Sequence, residues 1–158
     1  MSKQRPFIVK LVLPQTLRAH VLKNHPPRHP NGHAFHVTLG YGAKSREEAL
    51  QGLPAEIAQK IRTGKPILVT IYGRHVDDRV DSLGVMLEGA QPFRQDGKPY
   101  HITLSVADGV PPASSGLVNL DLDRPGFMLD PSRFVEFHLM ATIEPSSMSK
   151  PERLDVAA

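Results

Sequence analysis

His36-Val37-Thr38-Leu39 and His101-Ile102-Thr103-Leu104 write one four-residue pattern, HVTL and HITL, twice in a chain of 158 residues. An imidazole is the side chain whose ordinary proton affinity lies near neutral pH, so it can take or give a proton there. A threonine hydroxyl two residues further on can donate to an oxygen on which charge is developing. A single His-x-Thr on the solvent face of a strand is ordinary; two copies, in a chain with eight His and six Thr, point to joint action. Two imidazoles and two hydroxyls suit a phosphodiester. One neutral imidazole takes the proton of the attacking oxygen and the other, as imidazolium, protonates the leaving oxygen. In-line displacement puts those oxygens on opposite sides of phosphorus, which two groups approaching from two strands can serve. The scheme needs no metal, and no carboxylate cluster that would hold magnesium lies beside either motif.

For the four side chains to meet, each motif must lie on a strand and the two strands must be close. Both flanks alternate. In AFHVTLGYG, Phe35, Val37 and Leu39 oppose His36, Thr38 and Gly40; in YHITLSV, Tyr100, Ile102, Leu104 and Val106 oppose His101, Thr103 and Ser105. PFIVKLVLP, residues 6–14, reads as a first strand bounded by prolines, and QTLRAHVLKN as a short helix with Leu17, Val21 and Leu22 at helical spacing. HPPRHPNGHA reads as a loop, because Pro26, Pro27 and Pro30 lack donors and Asn31-Gly32 is a turn signal. Ser45 with Glu48 has the pattern of a capping box, opening a helix that Gly52 and Pro54 break or kink. KPILVTIYGRHV and DRVDSLGVMLEG read as a hairpin around a polar His75–Asp78. QPFRQDGKP and ADGVPPASSG are connections, residues 117–132 look irregular, and RFVEFHLMATIE reads as one last strand. About six strands and two helices predict an α+β protein with a mostly antiparallel sheet. The length fits one domain over residues 1–144; the tail, residues 145–158, has too little apolar surface to order itself.

The paired HVTL and HITL resemble the two His-h-Thr-h signatures, h being hydrophobic, of the two-histidine (2H) phosphoesterase superfamily. The resemblance spans approximately residues 6–144, with its specificity in those eight residues. It implies a bilobal α+β fold with mostly antiparallel sheets, helices on the outside and a central cleft to which each half contributes one motif strand. It also implies that His36 and His101 are the acid–base pair, that Thr38 and Thr103 hold the phosphate, and that no cofactor takes part. HITLSVADGVPPASSG is similar to the second motif of the cyclic phosphodiesterase module of fungal-type tRNA ligases, where a Pro and a Ser follow at like distance. The small free-standing chain resembles phage anti-CBASS enzymes that cut cyclic oligonucleotide signals. It departs from these in lacking a long helix in its second half and an accompanying ligase or kinase module, which bears on substrate more than on chemistry.

Further residues have two readings each. Tyr41 either stacks on a base or covers a sheet edge. Ser105 would extend the His101 and Thr103 face with another donor, and Ser114 and Ser115 contact phosphate or simply form turns. Lys98, Arg94 and Arg74 neutralise phosphate or are surface charges. His75 and His138 lack a paired Thr and read as structural or exposed. The series His20, His25, His29, His33, His36 matches no zinc spacing, holds three prolines and has no Cys, so no metal site is expected and the histidines other than His36 read as solvated loop residues. Neither a nucleophile elbow nor a phosphate-cradling Gly-rich loop is present.

The net charge of +3 and pI of about 9.3 come from scattered Lys and Arg and give a mild field for an anionic ligand. No apolar run reaches the roughly 18 residues of a membrane span, and MSKQRPFIVKLVLPQ reads as a strand, not a secretory signal. The absence of Cys excludes disulfides and thiol catalysis and fits a cytoplasmic protein. The leading expectation is a metal-independent phosphodiesterase hydrolysing a 2′,3′-cyclic phosphate on a nucleotide or RNA end. The alternatives are cleavage of cyclic di- or oligonucleotides by the same residues, and a non-catalytic nucleotide or RNA binding module. No protein partner is inferable.

Overall fold

Alternation in the sequence becomes alternation of burial. Phe7–Val12 form β1, with Val9 and Leu11 buried while Lys10 and Val12 point to the opposite face. The structure, a computed structural model, describes residues 5–89, 99–110, 129–146 and 152–153. Gln15–Asn24 form α1, which starts at Pro14 and buries Val21. Asn31–Gly32 form a two-residue β2 where the sequence reads as a turn: their backbone pairs with a later strand and so escapes the loop composition around it. The first motif lies on β3, His36–Ala43. Ser45 caps α2, Arg46–Gln51, by accepting from the Glu48 N–H at 3.1 Å. The return arm of the box is displaced, since Glu48 accepts from the Lys44 N–H at 2.8 Å. The chain breaks between Gly52 and Pro54, and Ala55–Arg62 form α3, whose Ile57 and Ala58 enter the core.

Ile67–Val76 and Val80–Leu87 form the hairpin β4–β5, and His101–Val106 form β6 with the second motif. His75 belongs to β4, so the turn is narrower than the expected His75–Asp78. After a 3-10 turn at Pro131–Arg133, the segment expected as one last strand is two, β7 at Val135–Leu139 and β8 at Ala141–Pro145. Glu152–Arg153, within the expected tail, form β9 on β2.

All described pairings are antiparallel and join one sheet in the order β7-β4-β5-β6-β3-β1-β8, with β2 on β6 and β9 on β2. The fold is α+β. β7 and β8 stand at opposite ends of this order yet only Met140 separates them, so the sheet curls until its two ends meet there. One face carries the core: Val9, Leu11, Val37, Val69, Leu83, Val85, Ile102 and Ile143 pack with Val21, Ala49 and Ile57 of the helices. Each fully buried aliphatic side chain contributes roughly 1.5–3 kcal/mol.

A buried charge holds β4, β5 and β6 together. Asp81 is 0% exposed and accepts from Arg74 Nε and Nη2 at 3.0 Å each, from the Arg28 N–H at 3.0 Å and from the Ser105 hydroxyl at 3.1 Å. Arg74 also donates to the Pro26 carbonyl at 2.8 Å, and the His29 N–H donates to Ser105 Oγ at 3.1 Å. The proline-rich loop is thereby tied to β4, β5 and β6. Arg74, readable in sequence as a phosphate or surface charge, is occupied in this network. Asp81→Asn should cost about 3–5 kcal/mol in urea unfolding, because it leaves the partly buried guanidinium without its counter-charge; a loss below about 1 kcal/mol would contradict that assignment.

Candidate active site

The junction of β3 and β6 assembles the two motifs. Val37 pairs with Ile102, and antiparallel register then sets His36 opposite Thr103 and Thr38 opposite His101 on the other face. Opposite residues have Cβ atoms about 4.5–5.5 Å apart and diagonal ones about 7–8 Å. His36 and His101 are such a diagonal, with a threonine beside each. Neighbouring strands extend the same face. Val12 lies opposite His36 and Lys10 opposite Thr38 on β1, while Ser82 lies opposite Thr103 and Gly84 opposite His101 on β5. On β8, Thr142 lies opposite Lys10.

Bulges on both flanks decide what else joins this face. On β3, Thr38 pairs with Lys10 but Gly40 pairs with Val9, so Leu39 is an extra residue. Gly40 therefore turns to the core, where Leu53 Cδ2 lies 3.8 Å from its Cβ position, and Tyr41, paired with Ile8 and 65% exposed, returns to the face of the motif. On β6, Thr103 pairs with Ser82 but Ser105 pairs with Asp81, so Leu104 is extra and Ser105 is turned away. Ser105 is fully buried and its hydroxyl is engaged by Asp81 and His29. The expectation that Ser105 continues the His101 and Thr103 face is thus corrected. Between the pairs Gly32 with Ser105 and Val37 with Ile102, residues 33–36 face only 103–104. The excess is taken up where Ala34 has φ of 62° and its N–H donates to the Thr103 carbonyl at 2.6 Å. Lys98, Ser115, Arg94 and Ser114 lie outside the described residues.

The two imidazoles differ in setting. His101 Nδ1 donates to the Pro99 carbonyl at 3.0 Å, which fixes the orientation of the ring. His36 Nδ1 is buried with no partner among the described residues. Burial first, then the charges of Lys10, His101 and His33, push the His36 pKa down to about 4 against a smaller opposing pull from Glu144. His36 is therefore unprotonated at neutral pH. His25 and His33 are also buried rather than solvated, and burial lowers both, helped by Arg74 and Arg133 at His25 and by Arg18 at His33.

Sequence reasoning missed Lys10, Glu144, Thr142 and Ser82. Lys10 Nζ lies 2.7 Å from Glu144 Oε1, and the hydroxyls of Ser82 and Thr142 are buried without partners among the described residues. The available signal was a lysine alternating with buried aliphatics, at the centre of a strand that had to be internal. Among the described residues no group of three or more His, Asp or Glu is placed to hold a metal ion. A cavity of about 260 Å³ between α1 and the start of β7 has none of the four motif residues in its lining. No helix among the described residues is long and apolar enough to cross a membrane. No protein-family model, curated protein or solved structure matches the chain.

The His36 setting fixes a pH dependence. The unfolded chain protonates this imidazole near 6.5 and the folded chain only near 4. Within that window the unfolded state binds more protons, so stability falls as pH drops, by roughly 3 kcal/mol once pH is below it. His25 and His33 act in the same direction. Urea midpoints at pH 7.5 and 4.5 should show a smaller acid loss for His36→Gln than for the parent; equal losses would contradict the His36 setting.

Proposed function

We propose that the chain is a metal-independent two-histidine phosphodiesterase that opens a 2′,3′-cyclic phosphate on a nucleotide or an RNA end. The observation that carries this reading is the adjacency of both His-x-Thr motifs across the β3–β6 junction. The strand order also supports the two-lobed, cleft-bearing arrangement of the 2H phosphoesterases, since the motif strands abut in the middle with β5-β4-β7 on one side and β1-β8 on the other.

In this reading unprotonated His36 takes a proton from the attacking water, whose oxygen bonds to phosphorus. The bond from phosphorus to one ribose oxygen breaks, and His101, as imidazolium, protonates that oxygen. Water is divided between phosphate and ribose, and no further reactant is consumed. Thr38 and Thr103 donate to the non-bridging oxygens as negative charge grows there. A bound phosphodiester anion raises the His36 proton affinity from its low resting value toward neutrality, where a general base is most effective.

A second reading keeps the same four residues and cleaves a cyclic di- or oligonucleotide. It draws on exposed Tyr41, which offers a stacking surface for a base beyond the scissile phosphate. Turnover of nucleoside 2′,3′-cyclic phosphates and of cyclic oligonucleotides is to be measured in excess EDTA. The parent should act on the first class, with His36→Ala and His101→Ala each losing about 10²- to 10⁴-fold. Turnover of only the second class would favour the second reading. Tight binding without turnover, or losses below about tenfold in both variants, would contradict two-histidine catalysis.

A further inference from the structure

Among the described residues, the polar face holds an ion pair, Lys10 with Glu144, that the two-histidine scheme leaves unused. Lys10 stands in the row Thr142, Lys10, Thr38, His101, formed by register across β8, β1, β3 and β6. Glu144, one alternation along β8 from Thr142, meets the Lys10 ammonium at 2.7 Å. The Lys10 side chain is mostly covered, at 17% exposure, while that of Glu144 is 44% exposed, so the pair is held on the Lys10 side and open to solvent on the other. Both charges are felt at His36 with opposite signs, so both lie near the place where the anion would sit.

We propose that Lys10 is a phosphate-binding residue and that Glu144, positioning it, makes the site select a singly charged phosphodiester over a doubly charged phosphomonoester. This rests on the two-histidine reading and adds to it a rule of substrate and product charge. Lys10 and Glu144 together carry no formal charge, so with His36 unprotonated the imidazolium of His101 is the group left to compensate one negative charge, and a second meets the Glu144 carboxylate uncompensated. A 2′,3′-cyclic phosphate carries one charge, whereas the ring-opened monoester carries close to two above its second pKa of about 6. Substrate is therefore accepted and product is expelled by the same pair. Thr142, whose hydroxyl is buried without a partner among the described residues, stands beside Lys10 as a further donor toward the anion.

The test is calorimetric titration of the parent, Glu144→Gln and Glu144→Asp with a nucleoside 3′-monophosphate at pH 7.5, alongside steady-state kinetics on the matching 2′,3′-cyclic phosphate. Glu144→Gln should bind the monophosphate about fivefold more tightly and show stronger product inhibition, while Glu144→Asp keeps the parent's discrimination. Lys10→Gln should lower kcat/KM about 10- to 100-fold and Lys10→Arg should restore most of it, with thermal melts recorded for every variant. If the parent turns over the cyclic phosphate but folded Glu144→Gln binds the monophosphate no more tightly, the selector is overturned and the two-histidine reading stands. If the parent neither binds nor turns over either nucleotide, the 2′,3′-cyclic phosphate reading falls and the selector falls with it.

Discussion

Everything on the polar face depends on one antiparallel contact, Val37 against Ile102 at the junction of β3 and β6. Both side chains are completely buried in the core, so the register is pinned by apolar packing on one face while its consequence appears on the other. A slip by one residue would send the aliphatics to the polar face and the imidazoles into the core. The same hydrophobic burial that stabilises the sheet therefore sets the spacing of His36, Thr38, His101 and Thr103. Regular pairing is needed only over this short stretch, and bulges at Leu39, against β1, and at Leu104, against β5, alter the facing beyond it.

Those bulges give the face its composition. The extra residue at Leu39 brings Tyr41 round and turns Gly40 inward, and the one at Leu104 removes Ser105 to the Asp81 network. The charged groups separate accordingly. Arg74 and Asp81 neutralise one another across β4 and β5 and hold the proline-rich loop, a structural task. Lys10 and Glu144 are the pair left on the polar face, partly covered and close enough to act on His36. Burial keeps His36 unprotonated more than any charge does.

Much of this was legible in the residue order. The alternation around HVTL and HITL gave two strands with His and Thr on one face, Ser45 marked a helix start and Gly52 and Pro54 its break, and the β4–β5 hairpin followed from its β-branched runs. Strict alternation carried too far failed at Gly40 and Ser105, because a single added residue reverses the facing of all that follow and has no signature in composition. RFVEFHLMATIE reads as one strand because nothing in it breaks β propensity. Its division at Met140 arises from a tertiary cause, since its two halves pair with opposite ends of a curled sheet. Lys10 went unrecognised for a similar reason: its importance comes from the neighbours that register supplies, Thr38 on one side and Thr142 on the other.

The central claim is that His36 and His101 serve one anion. It is tested most directly by following the imidazole resonances of all eight histidines in NMR while inorganic phosphate is added at constant pH. The account predicts that His36 and His101 move together along one saturation curve, and that exposed His20 stays where it is. Separate affinities for His36 and His101, or movement of neither, would contradict it.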